Sequence, residues 1–526
     1  MIHECLRVPE VFGLICEALQ QDWALSKEPY NRSPTLAVLA RTCRDFEGPA
    51  LDVLWREVSG LRPLLCTMPS DLFEMKKKEN MLCLRRAILP SDLEKTPSYA
   101  TRIRKLWMAS ISPVDVGVVQ ALSLATLHMK PLLPNIRHLL WSDELTSIEV
   151  KRLMLHCIPL FLAPKLVSLS IALDSVPDTI TLSIFSSLVN FCPALKELKI
   201  PINDENFNEE QRRTISSAIC QWKDLQSVMV TDLTEEALEH LATIPSLQKL
   251  SFHSLSGATR TYDEDHSIAI RNCARGYPAL QFLSISCRTM EMAIAFVQLL
   301  SSSPIEELNI QVENCRYPSA WEELFRTISR HLNSTSLKRL ILEETGDNLG
   351  DSQSVHSGIE LGALTVFSNV RMVHVQPSFG IPLTSDTANR LAVAWPHIEE
   401  LQLGTEYPPS KTIITARDLI PFARYCPNLQ CLGIVFDARS GSLEPDSGPF
   451  SNNLTSLSVG NSPIDDPNSV AAFLSSIFPI IDSVDTGSED EIVDEMWMEV
   501  QRMLDIFQGD EYQETLQKFL RFIRDR

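Results

Sequence analysis

Positive charge is in short supply: 47 Lys and Arg face 67 Asp and Glu, for a formal net charge of −20. Such a field repels phosphate backbones, so nucleic acid is not expected as a partner unless a local basic patch overrides it. Long apolar runs are missing as well. No stretch approaches the roughly 18 uncharged residues that a bilayer span requires, so no membrane association is expected. The opening MIHECLRVPEVFGLI has no basic leader, and Glu4, Arg7 and Glu10 interrupt its apolar positions, so it does not read as a secretory signal. A cytoplasmic or nuclear location is expected, where thiols stay reduced. The 13 cysteines contain no C-x-x-C pair, and most sit in apolar runs, as Cys16, Cys43, Cys157, Cys192 and Cys426 do. Buried thiols of this kind act as small hydrophobes rather than metal or redox groups. The sequons at Asn333 and Asn453 have no meaning in such a compartment.

Chemical motifs are equally sparse. The 11 histidines are dispersed, with no H-E-x-x-H and no pair four apart. There is no G-x-S-x-G elbow, and neither G-x-G-x-x-G nor G-x-x-x-x-G-K-[ST] follows any strand-like segment. The paired carboxylates Glu306-Glu307 and Glu399-Glu400 fall in strand-like phrases, where one of two neighbours faces solvent. No catalytic residue, cofactor or metal is assigned, and a non-enzymatic role is expected.

What the sequence does have is repetition. At 526 residues the chain is too long for one compact core. A phrase of the form Pro-x-apolar-x-x-apolar-x-apolar recurs along it, as in PNIRHLLW (134–141), PALKELKI (193–200), PSLQKLSF (245–252), PHIEELQL (396–403) and PNLQCLGI (427–434). Its first apolar residue falls at Ile103, Ile136, Leu166, Leu195, Leu225, Leu247, Leu280, Ile305, Leu337, Val370, Ile398, Leu429 and Leu454. The mean spacing is about 29 residues, the upper end of the leucine-rich-repeat range.

Each phrase ends in period-2 alternation, which marks a short strand. Between phrases the period turns helical: Ile180, Ile184, Leu188 and Phe191 recur at three and four, and 147–162 is a broad apolar helix. Asn208 ahead of Glu209-Glu210-Gln211 reads as a helix start, and Asp386 supports another. Pro164, Pro193, Pro245, Pro278, Pro396 and Pro427 stand two residues before the strand leucine, where a helix must stop and turn. The fold class expected is therefore α/β: a solenoid with parallel strands on a concave face and helices on a convex one. The Asn expected three residues beyond the last strand residue is found at Asn203 but is mostly missing elsewhere. Residues 344–358 and 437–453 read as loops. An acidic run at 485–495 leads into Trp497, Val500, Met503, Leu504 and Phe507, continued by Leu516, Phe519, Leu520, Phe522 and Ile523, as a C-terminal cap.

Residues 1–60 do not follow the repeat. Val8, Val11, Phe12, Ile15, Cys16 and Leu19 make one helical stripe, and Leu36, Leu39, Ala40, Cys43 and Phe46 make a second. Gly48-Pro49 is expected to break the chain before a third helix, ALDVLWREV. Three helices in about 50 residues bury little surface and gain stability by docking on a partner. The organisation expected is a helical module at 1–60, a linker and helical cap at 61–100, the array at 101–480, and an acidic segment with cap at 481–526.

The Val8-Pro9-Glu10 opening, with Ile15 and Leu19, resembles the start of an F-box. LARTCRDF resembles that family's middle helix, and Leu54-Trp55 its closing Leu-Trp pair. The stretch from Thr35 to Leu65, with YATRIRKL at 99–106, is most similar to F-box proteins of mushroom-forming fungi, and residues 100–480 to helix-bearing leucine-rich repeats. The resemblance implies a substrate-recognition subunit of a Skp–cullin–F-box type ubiquitin ligase. It would bind a Skp-type adaptor through Val8, Pro9, Glu10, Ile15, Leu19, Leu36, Leu39, Cys43, Leu54 and Trp55, and through it a cullin–RING ligase.

On the array, the positions alternating with buried strand residues include Lys199, Lys249, Ser251, His253, Phe282, Ser284, Glu307, Asn309, Arg339, Glu343, Met372, His374, Glu400 and Gln402. Among these, His253, Phe282, Arg339, Glu343, Met372 and His374 are the candidates for contacting an unidentified protein substrate. Two alternatives stay open: a repeat scaffold whose helical head is only a cap, and a small-molecule receptor in the mouth of the solenoid.

Overall fold

A computed structural model of the chain describes residues 8–26, 34–76, 81–108, 114–126, 131–142, 148–173, 177–202, 207–253, 276–315, 318–345, 359–405, 414–439, 452–488 and 490–508. The chain divides after Leu247 into two compact units.

The first unit opens with α1 (Pro9–Ser26), α2 (Pro34–Leu39) and α3 (Arg44–Leu54). Phe12, Cys16, Leu36, Phe46, Ala50 and Val53 form their core, with the Phe12 and Phe46 rings stacked at 4.1 Å and 13°. The break between the last two helices lies earlier than Gly48-Pro49. Arg41 N and Thr42 N close tight turns on Val38 O and Leu39 O, and Cys43 is extended. Pro49 instead sits inside α3. Its missing N–H removes one hydrogen bond, and the burial of Phe46, Ala50 and Val53 on one face outweighs that loss.

The sheet of the first unit begins just beyond, within the segment assigned to the head. Its strands are β1 (Glu57–Ser59), then, after an antiparallel hairpin of β2 (Phe73–Lys76) and β3 (Met81–Leu84), β4 (Lys105–Met108), β5 (His138–Trp141), β6 (Ser168–Ile171), β7 (Glu197–Ile200) and β8 (Ser227–Val230). The order β1-β4-β5-β6-β7-β8 is parallel throughout.

In the second unit β9 (Lys249–His253), β10 (Phe282–Thr289), β11 (Glu307–Asn314), β12 (Arg339–Glu344), β13 (Met372–Gln376), β14 (Glu400–Leu403), β15 (Cys431–Ile434), β16 (Ser456–Gly460) and β17 (Ser483–Thr486) follow in sequence order, again all parallel. Helices such as Glu209–Ile219, Glu235–Ala242, Pro318–His331 and Ser385–Ala394 return the chain between strands. Between β12 and β13 the described residues hold a 3-10 helix, Leu361–Val366.

The repeat phrase explains this architecture. Each of the 13 marked apolar residues, from Ile103 to Leu454, is 1% exposed or less, and a strand starts two residues later. That residue anchors the turn under the sheet, and the next two apolar positions point to the same side. The helix start at Asn208 is a full capping box: Asn208 Oδ1 accepts from Glu210 N and Gln211 N, while Gln211 Oε1 accepts from Asn208 N at 2.7 Å. At the later helix the cap is Thr384, with Asp386 in the first turn.

The missing asparagines are replaced by other buried polar groups. Thr231 Oγ accepts from Ile202 N at 2.6 Å, and Ser462 Oγ accepts from Phe436 N at 3.0 Å. Glu344 is 7% exposed, and its carboxylate accepts from Cys315 N at 2.9 Å and Ser378 N at 3.0 Å. One carboxylate thereby satisfies turn amides on both sides of its own strand. Asn203 lies outside the described residues, as do nearly all of the two expected loops and the final stretch from 509.

The helix Glu491–Gln508 covers the last strand. Trp497, Val500 and Leu504 are buried, Trp497 Nε1 donates to Ser462 O at 2.8 Å, and Gln501 Oε1 accepts from Val484 N at 2.6 Å.

Candidate functional site

The head offers the first surface. Along α1 the single stripe expected from the sequence separates into two. Phe12, Cys16 and Leu19 turn inward, whereas Val8, Val11, Leu14 and Ile15 stay 43%, 39%, 66% and 38% exposed. A helical period of 3.6 places these four along one side, and Val38 of α2 adds a fifth apolar side chain, 56% exposed. Five large apolar groups exposed on a module this small form an unusual concentration for a free surface.

Of the ten positions expected to bind an adaptor, Val8, Pro9, Glu10 and Ile15 are exposed, and Leu19, Leu39, Cys43 and Leu54 are partly buried. Leu36 and Trp55 are buried, so they hold structure together and offer no contact face. Trp55 lies 4.7 Å from the Tyr99 ring, which packs the end of α3 on the start of the array. Two ion pairs strengthen that attachment: Arg56 with Glu17 at 2.8 Å, and Arg102 with Asp52, while Arg102 also donates to Gly48 O. Leu14 and Val38 were not picked out by sequence. The signal that finds Leu14 is width: the apolar arc of α1 is broader than the core of three short helices can cover.

The open face of the second unit's sheet is the other surface. Phe282, Glu307, Arg339, Met372, Glu400 and Cys431 share one register row, and Ser284, Asn309, Ile341, His374 and Gln402 share the row two residues on. His253, Phe282, Arg339, Glu343, Met372 and His374 therefore all lie on this face, exposed or partly so. Its charges are largely matched in place. Arg339 meets Glu307 at 3.6 Å, His374 meets Glu400 at 2.9 Å, and Gln311 Nε2 donates to Glu343 at 3.0 Å. The result is a polar, cross-linked wall with Phe282, Ile341 and Met372 as its apolar elements. Asn309 Oδ1, near its centre, is buried without a hydrogen-bond partner. Lys249 and Ser251 extend the wall at β9, Ser251 being buried, and Lys199 occupies the matching row of the first unit.

Cys16, Cys83, Cys157, Cys192, Cys287 and Cys426 are buried among apolar side chains and behave as small hydrophobes. Burial pushes Cys192, Cys287 and Cys426 up to about 12, far from the reactive range. Among the described residues, no group of three or more His, Cys, Asp or Glu comes together to hold a metal, and no helix is long and apolar enough to cross a membrane.

The fold and these surfaces define an α/β repeat protein of solenoid type with a three-helix head. No protein family matches the chain, and no curated protein sequence does either. Among solved structures it is similar to a chain in the crystal structure of the yeast Rad7 and Elc1 complex. The identity there is 15% over 63% of this chain and 78% of that one, with a TM-score of 0.33.

Proposed function

We propose that the chain is a non-enzymatic substrate-recognition subunit of a Skp–cullin–F-box type ubiquitin ligase. The head docks on a Skp-type adaptor, and the open face of the array holds a target protein. One observation carries the reading: α1 keeps Val8, Val11, Leu14 and Ile15 in solvent while the far end of the head is fastened to the array through Trp55 and Arg102. A head serving only as an end cap would gain by burying those side chains, at roughly 1.5–3 kcal/mol each. A head that docks elsewhere must leave them free. Held this way, the chain supplies no bond chemistry. It raises the effective concentration of a target lysine near a loaded conjugating enzyme.

The F-box-like sequence motifs point to the same adaptor chemistry. The competing reading, a repeat scaffold unconnected with ubiquitin, draws on the Trp55–Tyr99 packing, which makes the head part of the array's end. Co-purification separates the two. The intact chain should retain a Skp-type adaptor, and Leu14→Asp with Ile15→Asp should release it, because both side chains are already exposed and their loss spares the core. An intact, folded chain that retains no such adaptor favours the scaffold.

A further inference from the structure

The ladder step one residue before each strand is charged differently in the two units. At the centre of the second unit it reads Glu306, Lys338, Arg371, Glu399, flanked by Gln248 and Gln281 on one side and by Gln430, Thr455 and Asp482 on the other. Lys338 N donates to Glu306 O, Arg371 N to Lys338 O, and Glu399 N to Arg371 O, at 2.7–2.8 Å. Its side chains neutralise one another: Lys338 pairs with Glu306 at 2.6 Å and Arg371 with Glu399 at 3.0 Å.

In the first unit the same step reads Arg56, Arg104, Arg137, Val167, Lys196, Gln226. Arg104 N donates to Arg56 O at 2.8 Å, Arg137 N to Arg104 O at 2.7 Å, and Lys196 N to Val167 O at 2.8 Å. The row holds four cations and no carboxylate. Neighbouring strands lie roughly 4.8 Å apart, so three consecutive arginines start from backbones at that interval, where like charges repel.

Compensation from outside the row is partial. Arg56 has Glu17, and Lys105 has Glu57 at 3.8 Å. Among the described residues the Arg104 guanidinium meets only the carbonyls of Thr101 and Ile103. Arg137 is exposed and has no ion-pair partner among the described residues. Two depressions of about 600 and 410 Å³, sharing Arg56 and Arg104, open beside the row, and the second is also lined by Lys105, Arg137 and His138.

We propose that this arginine row is a docking site for an Asp/Glu-rich peptide segment of a partner protein. Arginine forks grip carboxylates in pairs of parallel hydrogen bonds. The repulsion built into the row is relieved by anions placed between its members. Asp52 and Glu57 at the depressions interrupt the cationic surface, which suits carboxylates spaced along a peptide better than a continuous run of phosphates. The row itself runs along the strand starts of the array, so the proposal stands whether or not the head binds an adaptor.

The test is fluorescence anisotropy of the full chain with a labelled oligoglutamate peptide, an uncharged oligoglutamine peptide and a single-stranded RNA. Saturable binding of oligoglutamate alone is expected. It should weaken at least about tenfold between low salt and 0.3 M salt, since exposed charges are screened. Arg104→Glu with Arg137→Glu should abolish it, Arg104→Gln with Arg137→Gln should weaken it by about tenfold or more, and Arg371→Glu in the other unit's row should leave it unchanged. Absence of oligoglutamate binding, binding indifferent to Arg104 and Arg137, or tighter binding of the RNA through those residues would overturn the proposal.

Discussion

Glu343 and Glu344 are neighbours in one strand, yet their removal should have very different consequences. Glu343 lies on the open face and accepts one side-chain hydrogen bond from Gln311. Glu344 points into the body and accepts from two backbone amides, Cys315 N and Ser378 N. Glu344→Ala strands both donors. An orphaned buried N–H costs about 1–3 kcal/mol. Cys315 and Ser378 are only partly buried, so water recovers some of the loss and the cost falls near the lower end, about 2–3 kcal/mol for the pair. Glu344→Gln keeps one acceptor but turns an NH2 toward the other amide, for an intermediate loss of about 1–2 kcal/mol. Glu343→Ala should cost less than about 1 kcal/mol. Urea unfolding followed by tryptophan emission reads the difference, because Trp321 and Trp395 are fully buried in the same unit. With a slope of about 2 kcal/mol per M, the Glu344→Ala midpoint drops by roughly 1 M while that of Glu343→Ala barely moves. Equal midpoints for the two alanine variants would refute the bridging role of Glu344.

Two further outcomes follow from named contacts. Phe12→Ala removes the ring stacked on Phe46 at 4.1 Å and should cost about 3–5 kcal/mol; hydrogen exchange should show protection lost across residues 9–54 and retained in the strands, and uniform loss would contradict a separately packed head. The Arg86 guanidinium clasps Asp92 through two bonds, at 2.7 and 2.9 Å, and with the Leu89 N–H holds its carboxyl at about 2. Because this pKa is depressed on folding, its stabilisation is complete above the unfolded value near 4 and drains away as pH falls from there toward 2. Melting temperature should therefore fall more steeply over that window in the wild type than in Asp92→Asn, and identical slopes would count against it.

Most of the architecture was legible because the repeat phrase couples two physical demands, an apolar anchor under the turn and an alternating strand. That is why every marked residue from Ile103 to Leu454 precedes a strand. The two parallel strands the phrase missed lack its ending. Glu57–Ser59 is three residues long, and Ser483–Thr486 closes on Asp485 and Thr486 at the sheet edge, where the helix Glu491–Gln508 covers it. The substitutes for the asparagine ladder were not legible. Thr231, Glu344 and Ser462 share no residue type, and only three-dimensional proximity shows which amide each one meets. Nor was the arginine row, since Arg56, Arg104 and Arg137 become neighbours only once strand register is fixed. In the head, helical period placed the apolar arc of α1, but deciding which part is core depended on how α2 and α3 pack.

The docking claim is tested most directly by titrating a purified Skp-type adaptor into the intact chain and measuring the heat of binding. Saturable one-to-one binding is expected, lost in Leu14→Asp with Ile15→Asp and unchanged in Arg104→Glu with Arg137→Glu. No binding by the folded wild-type chain, or binding that survives the two aspartates, would contradict it.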